Sequence, residues 1–207
     1  MENLKKNSTD LDEHISPNTV LNIKNNLIEG FSDTTDQIIK IKKLIGTLGN
    51  FSKDSKKDSR TSAKLSELIE EVLLMINSEI KTIHSVEKQY NDHSRIICNK
   101  GEVKQAIMNI LINAIHAVKD VNESKIVIHT IETEDSVICD IKDNGIGILD
   151  EDKDNVFDPF FTTKPKNENM GLGLSIAYDI IVGKHNGQLE LDSNRNRGTQ
   201  FSLVFNK

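Results

Sequence analysis

The chain reads as an α+β protein: a helical hairpin near the N-terminus, then an α/β sandwich in which helices cover one face of a sheet. Three observations carry that reading. Apolar residues recur at helical spacing from Val20 to Leu48. A polar stretch from Asn50 to Ser62, rich in serine, lysine and aspartate, divides the chain. Beyond it, runs with period two alternate with runs of period three to four. The expected segments are 1–52 (helical), 53–62 (linker) and 63–207 (sandwich).

In the first segment Ser16 caps a helix and Pro17 sits in its first turn. Val20, Leu21, Ile23, Leu27, Ile28 and Phe31 form one apolar stripe. A break at Gly30–Asp33 precedes a second stripe of Ile38, Ile41, Leu44, Ile45 and Leu48. Two such helices cannot bury their stripes alone, which predicts a four-helix homodimer; packing on the rest of the chain is the other solution. After the linker, Leu65–Ile76 reads as a helix. Strands are expected near Thr82–Glu87 and Arg95–Cys98, then a strong helix over Gly101–Val118. Lys125–Ile131 and Val137–Ile141 form a strand pair. Leu172–Val182 is a helix stopped by His185-Asn186-Gly187. Gln188–Leu191 and Thr199–Phe205 close the chain as a hairpin.

Composition excludes several classes. With 26 Lys+Arg against 32 Asp+Glu the net charge is −6, without the basic excess of a general nucleic-acid binder. No apolar run approaches the roughly 20 residues that span a bilayer. Met1–Asp10 lacks the apolar core of a signal peptide. A cytoplasmic protein with no membrane segment is expected. Cys98 and Cys139 have no metal-ligand spacing and are expected as reduced thiols.

The chemistry concentrates in five places. Asp143 ends a strand and is followed by Asn144-Gly145-Ile146-Gly147: a carboxylate at a sheet end beside two glycines that let a flat ligand approach the backbone. The same residues also make a plain turn. Asn109 and Asn113 lie one turn apart on the apolar helix, with His116 close to that face. An amide oxygen there can ligate a hard cation such as Mg²⁺, or the amides can bond neighbouring backbone. Phe157, Phe160 and Phe161 are three of the chain's seven phenylalanines. They could anchor a polar loop containing Thr162, Thr163 and Lys164, a lid candidate, or simply pack a corner. Gly171-Leu172-Gly173-Leu174 opens a helix whose free N–H groups suit phosphate. This is neither the Gly-x-Gly-x-x-Gly dinucleotide loop nor a P-loop. Thr199, after Gly198, starts the last strand with its hydroxyl available to a pocket.

Asn109…Asn113-Ala114, Asp143-x-Gly145-x-Gly147, Phe157-x-Pro159-Phe160, Gly171-Leu172-Gly173-Leu174 and Gly198-Thr199 stand in the order and spacing of the N, G1, F, G2 and G3 boxes. Residues 61–207 thus resemble the ATP-binding domain of sensor histidine kinases, within the GHKL superfamily that includes gyrase and mismatch-repair ATPases. The resemblance implies that Asp143 accepts a hydrogen bond from the adenine amino group, that Gly147 admits the base, with Gly145 in the same loop, and that Thr199 contacts it. It implies Asn113 as the Mg²⁺ ligand, Asn109 and His116 near the phosphates, backbone donors at Gly171, Leu172, Gly173 and Leu174, and Thr162, Thr163 and Lys164 in the ATP lid. His185 reads as structural.

The family's phosphoacceptor histidine precedes an acidic residue and, five positions on, a proline. His14 lies in the right region, but Ile15 follows it and Pro17 comes three positions later. It is the candidate acceptor. The expected function is an ATP- and Mg²⁺-dependent protein histidine kinase core that passes phosphate to a response-regulator receiver domain. An ATP-binding dimeric regulator or phosphatase without autokinase activity is the alternative, and a GHKL ATPase or serine-directed kinase a third.

Overall fold

The structure, a computed structural model, describes residues 60–91, 94–163 and 170–207. The segment expected to form a helical hairpin, His14 and Lys164 fall outside the described residues.

Five strands make a mixed sheet: β2 (Ser85–Gln89), β4 (Lys125–Glu132), β5 (Ser136–Asp143), β7 (Gly198–Asn206) and β6 (Gln188–Asn194), in that spatial order. Only β2 and β4 run parallel. A separate pair joins β1 (Thr61–Lys64) to β3 (Arg95–Cys98). The helices are α1 (Leu65–Met75), α2 (Asn77–Ile80), α3 (Lys100–Ala117) and α4 (Gly173–Tyr178), the last running on into a π-helical turn, Asp179–Lys184.

Period two decides what the sheet buries. Ile126 and Ile128 of β4, Val137, Cys139 and Ile141 of β5, Leu189 of β6, and Phe201, Leu203 and Phe205 of β7 all point to the covered face. α1 answers with Leu65, Leu68, Ile69, Val72 and Leu73, and α3 with Val103, Ala106, Ile107, Ile110, Leu111, Ala114 and Ile115. Ile107, Ile110 and Leu111 are fully buried, each contributing about 1.5–3 kcal/mol by leaving water. At one end of this apolar face the pattern persists but the chemistry changes. The register that pairs Lys142 with Gln200 and Ser193 with Thr199 sets Asp143, Thr199 and Ser193 side by side on β5, β7 and β6. All three are buried.

Three elements differ from the sequence-based expectation. The strand expected from Thr82 begins at Ser85, because Thr82 and Ile83 complete the turn after α2: Thr82 Oγ1 donates to the Glu79 carbonyl at 2.7 Å and Ile83 N–H to that of Ile80. Thr61 and Ser62, assigned to the linker, pair with Cys98 and Ile97; Ala63 alone of β1 is buried, so the strand has no apolar alternation to read. The helix expected over Leu172–Val182 widens after Tyr178, its last N–H, that of His185, reaching the Ile180 carbonyl at 3.1 Å. The ring of His185 then lies with Nδ1 2.7 Å from that same carbonyl oxygen and Nε2 accepting the Asn99 N–H at 3.2 Å. A carbonyl only accepts, so Nδ1 carries a proton. The ring ties the end of the π-helical turn to the start of α3, where the Asn99 side chain accepts from the N–H groups of Gly101 and Glu102. Cys98 and Cys139 are buried free thiols; burial pushes the Cys98 thiol up to about 11 and raises that of Cys139 as well. Among the described residues no helix is long and apolar enough to cross a membrane.

Candidate functional site

The polar end of the covered face is built around Asp143, which is 4% exposed. Its Oδ1 accepts two backbone N–H groups, from Gly145 at 2.8 Å and Thr199 at 3.3 Å; Oδ2 carries neither. Burial pushes the carboxyl up to about 6, against the opposing pull of those two N–H groups. The result is a desolvated acceptor whose second oxygen is available to a ligand donor.

The loop after Asp143 is clamped on two sides. Ile146 donates its N–H to the Ala117 carbonyl at the end of α3, at 3.2 Å. On the other side the Ile146 carbonyl accepts the N–H of Asn196, in the β6–β7 turn, at 2.7 Å. Both loop glycines are required by the protein's own backbone. A Cβ on Gly145 would stand 2.5 Å from the Ala117 carbonyl oxygen, and one on Gly147, at φ 69°, would collide with the Asn194 carbonyl.

Ser193, which the sequence reading did not single out, holds the same region from below. Its Oγ accepts the Ile148 N–H at 2.9 Å, donates to the Gly198 carbonyl at 3.1 Å and lies 2.9 Å from Thr199 Oγ1. The available signal was a serine at a position where the alternation of β6 calls for an inward apolar residue.

The asparagines lie along α3 toward the same end. Asn113 is one turn before Ala117, and Asn109 one turn before that, so about 6 Å of rise separates each step. Both are half-buried. Asn109 Nδ2 donates to the Gly173 carbonyl at 3.0 Å, which orients its amide by tying it to the first turn of α4. A Cβ on Gly173 would meet the Asn109 side chain at 3.8 Å and Asn113 Nδ2 at 3.9 Å. The start of α4 therefore faces both amides. Leu172, at its N-cap, offers no side-chain cap, and Ser175 Oγ turns back to the Leu172 carbonyl at 3.0 Å. Backbone donors in this first turn are left without a side-chain acceptor. Gly171 has φ 66°, and Leu172 and Leu174 pack partly against the core. His116 is exposed, one residue before the carbonyl that anchors the glycine loop.

The phenylalanine segment divides its labour. Phe157 packs on Tyr178 (ring centroids 5.2 Å) and edge-on to Phe201 (6.3 Å), so it anchors the segment. Phe160 does not: it is 65% exposed with φ 69°, and its N–H donates to the Gly171 carbonyl at 2.9 Å. The base of the lid candidate is thereby joined to the glycine stretch before α4. Thr162 is half-buried and Thr163 exposed; Lys164 lies outside the described residues. Asp143, Gly145, Gly147 and Thr199 thus form one cluster, and Asn109, Asn113 and Gly171–Leu174 a second, with the C-terminal half of α3 running between them.

Known proteins resemble this chain in sequence and in fold. The family described as "Histidine kinase-, DNA gyrase B-, and HSP90-like ATPase" matches residues 98–207. Sporulation kinase E of Bacillus subtilis is 33% identical over 114 residues, which cover 55% of this chain and 15% of that protein. Signal transduction histidine-protein kinase AtoS of Escherichia coli is 32% identical over 179 residues, covering 85% of this chain and 28% of AtoS. The chain therefore spans less than a third of the length of either relative. The catalytic domain of histidine kinase ThkA superposes with a TM-score of 0.62 at 30% identity, covering 72% of this chain and 98% of that domain. ThkA in complex with response regulator protein TrrA matches with a TM-score of 0.63 at 26% identity, covering 82% of this chain and 49% of that one.

Proposed function

Because this chain belongs to the histidine kinase-, DNA gyrase B- and HSP90-like ATPase family, we propose that it is the ATP-binding core of a two-component protein histidine kinase. It uses Mg-ATP to phosphorylate a histidine and hands the phosphoryl group to a response-regulator receiver domain. The observation that carries this reading is the buried Asp143 carboxylate, with one oxygen held by backbone and the other available, at the end of the helix that bears Asn109 and Asn113.

In this reading Asp143 accepts from the adenine amino group, and Gly145, Gly147 and Thr199 complete the base end of the site. The first turn of α4, Gly171 to Leu174, supplies backbone donors to the phosphates, with Asn109 and His116 beside them. Asn113 gives its amide oxygen to Mg²⁺. The donor set fits that ion: a hard cation that keeps several waters takes few protein oxygens and completes its shell from phosphates. Held by Asn113, Mg²⁺ would offset the negative charge of the phosphates. Thr162, Thr163 and Lys164 belong to the lid. Phosphoryl transfer needs mainly positioning and charge stabilisation, and these residues supply both.

His14 is the proposed acceptor, residues 1–52 the dimerising helical region, 53–62 the linker and 63–207 the catalytic domain of a cytoplasmic homodimer. The ThkA–TrrA complex supports a receiver-domain partner. A second reading, an ATP-binding regulator or phosphatase without autokinase activity, rests on the residues after His14, Ile15 and Pro17, which depart from the family's acceptor pattern.

Incubation with γ-labelled ATP tests the proposal. Acid-labile label should appear on the chain and disappear in His14→Gln. Label that persists in His14→Gln moves the acceptor elsewhere; ATP binding with no label on the chain or on any receiver domain selects the second reading.

A further inference from the structure

We infer that Ser193 is a positioning residue that fixes the direction in which the Thr199 hydroxyl donates, and so helps the site to favour adenine over a 6-oxopurine. The inference rests on the reading of the site as a nucleotide site and adds a residue and a selectivity mechanism to it.

Ser193 is 2% exposed, and its Oγ has three neighbours at hydrogen-bond distance: the Ile148 N–H at 2.9 Å, the Gly198 carbonyl at 3.1 Å and Thr199 Oγ1 at 2.9 Å. A hydroxyl has one proton to give and two lone pairs to receive. The Ile148 N–H can only donate. The Gly198 carbonyl can only accept, and it takes the single Ser193 proton. All three contacts are satisfied together in one way only: Thr199 Oγ1–H donates to Ser193. The Thr199 proton is then spent inside the protein, and that oxygen presents only lone pairs elsewhere.

The neighbouring group has the same polarity. The Thr199 N–H already goes to Asp143 Oδ1 at 3.3 Å, so this end of the site offers Asp143 Oδ2 and Thr199 Oγ1, both acceptors. Adenine carries an amino group at C6, a pure donor. Inosine and guanine carry a carbonyl there, a pure acceptor. Where the C6 substituent faces them, two acceptors attract the amino group and repel the carbonyl. A threonine whose proton were free could rotate and donate to the carbonyl, which would blunt the distinction. Leaving a buried polar group without its partner costs more than a satisfied bond gains, and this is the source of the selectivity.

Ser193 also holds the Ile148 N–H, so a scaffolding role has to be separated from the orienting one. Scaffolding loss weakens every nucleotide alike; loss of orientation changes the ratio between nucleotides. The experiment measures dissociation constants of Mg-ATP and Mg-inosine triphosphate on the full chain. The two ligands differ only in the amino group and bare ring nitrogen of adenine against the carbonyl and ring N–H of hypoxanthine. Proteins compared are the wild type, Ser193→Ala, Thr199→Val and the double variant. Ser193→Ala should shrink the ATP preference about tenfold, and in the Thr199→Val background the same substitution should leave the ratio unmoved. Ser193→Cys, which keeps an atom at the γ position but hydrogen-bonds poorly, should shrink the preference as well; it serves if the alanine variant fails to fold. An unchanged ratio in Ser193→Ala or Ser193→Cys overturns the inference, as does an equal effect with and without the Thr199 hydroxyl. A wild type that binds neither nucleotide overturns the nucleotide-site reading itself, whereas binding with an unmoved ratio overturns this inference alone.

Discussion

Gly198 has no room for a side chain because the carbonyl of Asp143 occupies the place where its Cβ would stand. The contact packs the start of β7 onto the last residue of β5, and it is the reason the Asp143 carboxylate can reach the Thr199 N–H. Gly198 is also held at φ 88°, where any residue with a Cβ is strained.

Gly198→Ala should therefore lower stability by about 2–4 kcal/mol, from left-handed backbone strain together with the overlap. Denaturant unfolding of the full chain measures this. A loss below about 0.5 kcal/mol would show that the β5–β7 junction yields freely.

Asp143 gives a pH dependence with a definite sign. Burial raises its folded carboxyl to about 6, above the roughly 3.9 of an unfolded aspartate. Between these values the folded state holds a proton that the unfolded state has released. Stability contributed by the neutral carboxyl is therefore complete below about pH 4 and is lost as pH rises to about 6. In Asp143→Asn this slope should disappear, and the variant should exceed wild-type stability at pH 7 by up to about 3 kcal/mol. Equal slopes in the two proteins would remove the assignment. Binding has the opposite sign, because the role proposed for Asp143 needs the carboxylate: ATP affinity of the wild type should fall as pH drops below 6, and Asp143→Asn should bind ATP at least about tenfold more weakly at pH 7.

Asn113 is tested through the metal. ATP affinity of the wild type should rise when Mg²⁺ replaces chelator. In Asn113→Ala that gain should shrink about tenfold while metal-free binding stays near the wild-type value. The same Mg²⁺ response in both proteins would show that the Asn113 amide does not touch the ion.

Much of this was legible in the chain itself. Period-two and period-three-to-four runs found β3, β4, β5 and α3 to within a few residues, since each buries one face and must show it. Asp143, the two asparagines and the glycines stood out because each residue type is poorly suited to its local setting without a reason. Thr61 and Ser62 escaped notice because a short pair with one buried side chain leaves no periodic trace. The π-helical turn escaped because Ile180, Ile181 and Val182 carry the apolar run of an ordinary helix, while the contact at its end, His185 Nε2 with the Asn99 N–H, joins residues 86 apart. Ser193 escaped because one serine in a strand looks like any other until its neighbours are known.

The sequence by itself determined the mixed α/β character of residues 65–207, the order of the longer elements and the residue types gathered at Asp143, Asn109 and Asn113, because periodicity and backbone freedom are local properties. Only the tertiary structure decided that Gly145 and Gly147 serve the protein's own backbone, that Phe160 points outward while Phe157 anchors, and that Ser193 stands beside Thr199. Those facts depend on strand register and on the packing of chain segments far apart in sequence. A one-residue slip of β6 would turn Ser193 to the opposite face of the sheet.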